Sequence, residues 1–178
     1  MQVYGQSTFR MLANPVVSSD ATSVLYDAFA TFTDDSALYN YTLMNGISYI
    51  SRSSLNQSTA SVRCLDSDVL LPINSIASAI NEAVAVPSSS STEDASKCSG
   101  GKLFKVSVGG TSFALCNSGS AGFTLNGNDM DIAVEYLETR VNILEPTVDA
   151  DSAHQCKTVA YSSLITSTGS ALLKGEPS

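Results

Sequence analysis

Hydrophobic and polar residues alternate along much of the chain with a period of two, which puts alternate side chains on opposite faces of a strand. Residues 23–33 are the first clear case. The apolar face of this predicted strand consists of Val24, Tyr26, Ala28, Ala30 and Phe32. The segments 59–65, 130–138 and 157–166 predict three further strands from their β-forming composition.

A first hairpin is predicted for segments 36–44 and 47–53, because Asn45-Gly46 stands between them. This pair is preferred in type I′ turns, whose two central residues both need a positive φ. A two-residue turn sets the register and places Met44 opposite Ile47 and Tyr41 opposite Ile50. The face that carries Asn40 is then the more polar of the two.

A second hairpin is predicted for residues 103–116, with its turn at Gly109-Gly110. The two-residue turn pairs Phe104 with Leu115, Val106 with Phe113 and Val108 with Thr111. These residues share one face, so the turn and the hydrophobic pattern agree on the register.

The period changes to that of a helix after Pro72, which is a favourable first helical residue. Hydrophobic residues then recur at spacings of three and four and form a stripe of Ile73, Ile76, Ile80 and Val84. This predicts one main helix at about 72–85, which ends before Pro87. We therefore expect a mainly β, β-rich α+β fold, either an antiparallel sandwich or one curved sheet, with this helix packed on it.

The length of 178 residues suits one domain, so we expect a single domain over residues 1–178. Within it, the serine-rich segment 88–101 predicts an exposed, mobile loop. The net charge of −8 and the absence of a basic cluster disfavour binding to nucleic acid or to anionic membrane surfaces. No apolar run approaches the ~20 residues that span a bilayer.

Cysteines and glycosylation sequons together indicate secretion. The sequence contains no C-x-x-C pair and one histidine, so a zinc site is not expected. The sequons Asn40-Tyr41-Thr42 and Asn56-Gln57-Ser58 predict glycans at Asn40 and Asn56. Disulfides persist outside the cytosol, so we expect a mature, extracellular glycoprotein. Four buried reduced thiols are the alternative.

Four cysteines allow three pairings, and the sequence alone leaves them open. We favour Cys98–Cys116, which would hold the serine-rich loop on the second hairpin, and Cys64–Cys156, which would tie the last strand to the first sheet. The second bridge closes the longer loop and is expected to contribute ~4 kcal/mol on loop-entropy grounds.

No assembled catalytic group is recognisable in the sequence. His154 is the one base available to a serine or cysteine nucleophile, and no Gly-x-Ser-x-Gly motif is present. Asp131 and Glu135 share a strand face, but at about 13 Å they are farther apart than most glycoside hydrolase carboxylates. The segment 126–131 lacks the EF-hand spacing. The sequence therefore predicts no catalytic residue, metal or cofactor, and favours a protein that is not an enzyme.

Four segments within about residues 60–140 carry a further likeness. They read Cys64-Leu65-Asp66, Leu71-Pro72-Ile73-Asn74-Ser75-Ile76, Cys98-Ser99-Gly100-Gly101-Lys102-Leu103-Phe104 and Asp131-Ile132-Ala133-Val134-Glu135-Tyr136. In these segments the chain resembles small secreted proteins of oomycetes. The resemblance implies secretion and a role at a host or cell-wall surface, and it assigns no functional residues.

The function expected first is that of a secreted, non-enzymatic interaction protein, such as an effector, an elicitor or a component of the cell surface or cell wall. Its partner would then be a protein or a cell-wall polymer. A carrier of a small apolar ligand, held between the helix and a sheet, is the second expectation. A polysaccharide hydrolase that uses carboxylates is the third.

Overall fold

The computed structural model describes residues 8–34, 37–54, 60–67, 73–87, 98, 101–148 and 156–174. The chain divides into two compact units, formed by residues 1–74 with 140–163 and by residues 75–139 with 164–178. Each unit has its own antiparallel sheet and its own cluster of buried apolar residues. The predicted mainly β fold with antiparallel sheets is confirmed.

The first unit is built on a meander of five consecutive strands. They are β1 (Met11–Val17), β2 (Ser23–Asp34), β3 (Ala37–Met44), β4 (Ile47–Ser54) and β5 (Ala60–Cys64). Their order in the sheet is the order in the chain, and a two-residue strand, Ser163–Leu164, also pairs with β2. Successive short connections explain this order, because antiparallel neighbours need only a tight turn between them.

The β3–β4 hairpin has the predicted register, with Met44 opposite Ile47 and Tyr41 opposite Ile50. Asn45 has φ 52° and Gly46 has φ 80°, as the predicted type I′ turn requires. The carbonyl of Gly46 accepts hydrogen bonds from the backbone N–H groups of Val159 and Ala160. The turn therefore also anchors a segment more than a hundred residues downstream.

The apolar face predicted for residues 23–33, which form β2, lies at the centre of the first core. Of its five residues only Tyr26 is half-buried, and the other four are buried. The buried cluster consists of Ala28, Ala30, Phe32, Tyr41, Leu43, Ile50 and Ala160. Ala28 lies opposite Leu43 and Ala30 opposite Tyr41, so small side chains on β2 meet large ones on β3 within this cluster.

The second unit contains the other sheet and the helices. Its elements are α1 (Ile73–Asn81, which begins in the first unit), β6 (Val84–Ala85), β7 (Lys102–Val108), β8 (Thr111–Asn117), β9 (Gly122–Asn126), β10 (Asp131–Glu135) and α2 (Ser167–Lys174). The strand order is β10-β9-β8-β7-β6. Ile76 and Ile80 of α1 and Leu172 of α2 are buried with the apolar residues of β7, β8 and β9.

The β7–β8 hairpin also has the predicted register, with Phe104 opposite Leu115, Val106 opposite Phe113 and Val108 opposite Thr111. Both turn glycines have positive φ, at 57° and 82°. The inward residues are buried and the alternate residues on β7 are exposed or half-buried, as the alternation predicts.

The helix predicted at 72–85 is shorter in the structure and ends at Asn81. The N–H groups of Glu82 and Ala83 bond back three residues, which closes the last turn. Val84 was expected on the buried stripe but is 66% exposed, and it pairs with Lys105 in the sheet. Val84 is β-branched and favours a strand, and it pairs with the edge of β7 instead of continuing the helix.

The prediction of a strand at residues 157–166 is wrong over most of its length. Only Ser163–Leu164 is a strand, and Thr158 makes a single bridge to Ile47. Helix α2 follows and was not expected, so the prediction of one main helix is also corrected. The strand β1 was missed as well.

Several predictions fall on residues outside those described. They concern Asn56, His154 and nearly all of the serine-rich segment 88–101, of which Cys98 and Gly101 are described. The mobility of that segment and the single domain over residues 1–178 stay predictions.

Candidate functional site

Both disulfides have the pairing favoured from the sequence. Cys64 is bonded to Cys156 and Cys98 to Cys116, with sequence separations of 92 and 18. All four cysteines are thereby used, and none is free. Cys64 is the last residue of β5, so the first bridge fixes a distant segment at the edge of the first sheet.

The segment of residues 140–148, which we call the strap, lies across one face of the first sheet. It runs without a turn or bend. The side-chain amide of Asn14 on β1 donates a hydrogen bond to the carbonyl of Val141 at 2.5 Å. The hydroxyl of Tyr49 on β4 donates to the Glu145 carboxylate, also at 2.5 Å. These two contacts attach the strap to β1 and to β4, on the same face of the sheet.

The spacing of the two contacts gives the direction of the strap. Strands β1 and β4 are three strand spacings apart in the sheet, which is ~14 Å at the usual separation between strands. Four residues of extended chain, from Val141 to Glu145, cover ~13 Å. Asn14 lies two residues along β1 from Leu12, which is in register with Tyr49, so the strap crosses the strands obliquely. Farther along the chain, Cys156 is bonded to β5, the next strand in the same direction.

A continuous row of paired residues forms the floor beneath the strap. It runs Leu12, Phe29, Thr42, Tyr49 and Cys64, one residue from each strand of the meander. Thr42 and Tyr49 are buried although their face was expected to be the more polar, exposed one. The strap accounts for this burial, since it covers a face that the strand pattern alone leaves open.

Two more polar side chains on this face are buried. Asn14 and Asp27 are cross-strand partners, exposed by only 4% and 5%. Asp27 accepts a hydrogen bond from the backbone N–H of Asn45 at 3.0 Å. Buried polar groups need such partners, so the strap, the β3–β4 turn and this pair stabilise one another.

Burial and the contact with Glu145 both favour the protonated form of the Tyr49 phenol. Burial, and then the hydrogen bond to Glu145 and its negative charge, raise the pKa of Tyr49 to about 12. Tyr49 therefore stays protonated and acts as a hydrogen-bond donor at all physiological pH values. It holds the strap in place and does not serve as a base.

Two cavities open to solvent share Phe29 as a wall, and the smaller of them lies beside the strap. The smaller cavity, of about 230 Å³, is bounded by Phe29 and by Val141, Asn142, Ile143 and Leu144 of the strap. The larger, of about 500 Å³, is lined by Thr8, Phe9, Arg10, Leu12, Phe29, Ala30 and Thr31. The walls of the smaller cavity are mainly apolar, whereas Thr8, Arg10 and Thr31 add polar groups to the larger one.

The backbone of the strap is unusually free. In the part of the chain that the structure describes, no backbone–backbone hydrogen bond involves residues 140–148. Side chains alternate, with Ile143 buried against the sheet and Leu144 70% exposed on the outer side. Over residues 142–144 the strap thus resembles an edge strand, with open N–H and C=O groups beside the smaller cavity.

The other predicted site residues lie apart from the strap or on its flank. Asn40 is half-buried in the middle of β3, and its side-chain oxygen accepts a hydrogen bond from Thr31 at 3.0 Å. Asp131 and Glu135 are both exposed on β10, and Asp131 accepts a bond from the N–H of Gly127. Among the described residues, no group of three or more potential ligands could hold a metal ion.

Sequence reasoning missed the strap, Phe29 and the Tyr49–Glu145 contact. The one available signal was the apolar–polar–apolar order of Val141-Asn142-Ile143, a short stretch with the period of a strand. No helix among the described residues is both long and apolar enough to cross a membrane.

Comparison of the chain with models of protein families, with curated proteins and with solved structures found no match.

Proposed function

We propose that the chain is a secreted, non-enzymatic interaction protein that binds a protein or cell-wall partner through the strap. The observation that carries this proposal is an extended segment, held across a sheet by Asn14 and Tyr49, that presents Leu144 to solvent. An anchored, extended segment with unpaired backbone groups beside an exposed apolar side chain offers a partner both hydrogen bonds and apolar contact. Such a protein would act as an effector, an elicitor or a component of the cell surface or cell wall.

Two disulfides support the extracellular part of this proposal. Reducing compartments do not maintain bridges of this kind in most organisms, whereas secreted domains depend on them. Expression through a eukaryotic secretory pathway, followed by mass spectrometry, tests this part. We expect a mass four hydrogens below that of the reduced chain once glycans have been removed. Free thiols in the secreted protein would contradict it.

A matched pair of variants tests the binding surface. Leu144 and Leu164 are exposed to similar extents, at 70% and 74%. We expect Leu144→Asp to weaken retention of the purified protein on its source cells or cell-wall material at least fivefold, while Leu164→Asp binds like the unchanged protein. Equal binding by both variants would move the surface away from the strap. Turnover of a polysaccharide that is lost in Glu145→Gln would favour the hydrolase instead.

The cavities beside Phe29 favour a carrier of a small apolar ligand as the second candidate. This site is in the first unit and not under helix α1, where the sequence placed it. Native mass spectrometry of the secreted protein, before and after denaturation, distinguishes the two functions. Extra mass that leaves on denaturation supports the carrier, and the mass of the bare chain in both measurements argues against it.

A further inference from the structure

We propose that the strap binds an extended peptide segment of its partner, which adds to the strap as a new strand and places apolar side chains in the cavities beside Phe29. This rests on the proposed function and names the class of partner. Two independent features carry it: the open backbone of residues 142–144 and the position of the smaller cavity beside them.

The unpaired N–H and C=O groups of the strap are best satisfied by the backbone of another extended chain. Residues 142–144 have unpaired N–H and C=O groups along a straight, extended stretch in the part of the chain that the structure describes. Because these side chains alternate between the sheet and solvent, the backbone groups point sideways along the sheet face. An extended peptide laid there forms a regular ladder of hydrogen bonds.

The cavities add selection for side chains. The smaller cavity is bounded on one side by residues 141–144 and on the other by Phe29, so it lies where the incoming strand would run. Alternate side chains of an extended peptide point to the same face, ~7 Å apart. One such side chain can enter the smaller cavity and the next the larger one, which shares Phe29 as a wall.

The chemistry of the walls defines the peptide. Phe29, Val141, Ile143 and Leu144 bound the smaller cavity and favour an aliphatic or aromatic side chain. The chain has a net charge of −8, so Lys or Arg at outward positions of the peptide would speed its association. The expected occupant is an extended segment with apolar residues at alternate positions and basic residues between them.

The experiment uses a displayed library of random twelve-residue peptides as the probe and the full disulfide-bonded chain as the target. We expect enriched peptides to have apolar residues two positions apart. Two N-methylated forms of each peptide are then compared, one methylated at the odd-numbered residues and one at the even-numbered residues. Only every second N–H group of the peptide faces the strap, so one form should lose binding and the other should bind unchanged. Tolerance of N-methyl groups in both phases, or recovery of no peptide, would overturn the proposal.

Paired substitutions test the strap from its own side. Val141 and Asn142 both line the smaller cavity and have opposite phases along the strap, and proline at either position removes one N–H. We expect Val141→Pro or Asn142→Pro to lose affinity for the peptides at least tenfold, while Val141→Ala and Asn142→Ala stay within threefold. Circular dichroism checks that all four variants fold. Full binding by both proline variants would refute the strap as the docking edge.

Two other outcomes separate this inference from the proposed function. A chain that dimerises in solution, and that Asn142→Pro makes monomeric, would show a second copy to be the occupant and would overturn the peptide. Loss of partner binding in Leu144→Asp with no peptide recovered would leave the proposed function standing while this inference fails.

Discussion

At the scale of single residues, two glycines in hairpin turns differ in what surrounds them. Gly46 and Gly109 both have a positive φ, at 80° and 57°. A Cβ at Gly46 would collide with the carbonyl of Ala160, whereas a Cβ at Gly109 would meet nothing within 4 Å. One position therefore combines backbone strain with a close approach, and the other has strain alone.

We expect Gly109→Ala to lower the free energy of unfolding by about 1 kcal/mol, the usual cost of a left-handed alanine. Gly46→Ala should cost at least ~2 kcal/mol, because the segment around Ala160 must also move. Urea unfolding of both variants measures the difference. Equal losses would mean that the downstream segment adapts freely to the turn.

Asp20 gives a prediction on pH. Hydrogen bonds from the Ser18 hydroxyl, then from the backbone and hydroxyl of Thr22, lower the pKa of this exposed carboxyl from 3.8 to about 2. A lowered pKa stabilises the folded turn above pH 3.8, and this contribution is lost as the pH falls through 2. NMR titration should show the amide of Thr22 changing with a midpoint near 2. A midpoint at the usual carboxylate value would contradict these bonds.

At the scale of elements, helix α2 depends on one side chain from the end of α1. The Asn81 amide donates to the carbonyl of Leu164, and its oxygen accepts from the backbone N–H of Thr166. The Thr166 hydroxyl in turn accepts from the N–H of Gly169 in the first turn of α2. Asn81 thus positions the residue that caps the helix.

We expect Asn81→Ala to destabilise α2 by about 1–2 kcal/mol, because several hydrogen bonds are lost together. Hydrogen exchange of the α2 amides should become faster, while the amides of β7 and β8 stay protected. Asn128→Ala, at an exposed asparagine, is the control. Unchanged exchange in α2 would show that the packing of Leu172 alone holds the helix.

The elements predicted from the sequence are held by residues close to them in the chain, whereas the missed elements are held by residues far away in the chain. Both hairpins followed from local turn residues and alternation, which agree on one register. Helix α2 includes Gly169 and a run of Ser and Thr, a composition poor for a helix, and its cap is positioned by Asn81, 85 residues from Thr166. The strap likewise gets its conformation from Asn14 and Tyr49, which no local pattern connects to it.

At the scale of the whole molecule, the two disulfides constrain very different lengths of chain. The sequence separations of 92 and 18 correspond to loop-closure terms of about 4.6 and 3.2 kcal/mol. The longer bridge encloses all of residues 75–139, the larger segment of the second unit. Its removal should therefore affect both units.

We expect the Cys64→Ser, Cys156→Ser double variant to lose ~1.4 kcal/mol more stability than the Cys98→Ser, Cys116→Ser double variant, if chain entropy dominates. Thermal unfolding monitored by circular dichroism compares them under identical conditions. A larger loss in the second double variant would show that local packing around buried Cys116 outweighs the loop length.

The longer bridge also has a consequence for proteolysis. Cleavage of any one peptide bond between Cys64 and Cys156 produces two pieces that the bridge still joins. On a denaturing gel without thiol, the nicked protein migrates as a single species, and the fragments separate only after reduction. A protease encountered outside the cell can therefore cut this region once without detaching either piece. The segment that follows the strap stays bonded to β5 through Cys64 and Cys156.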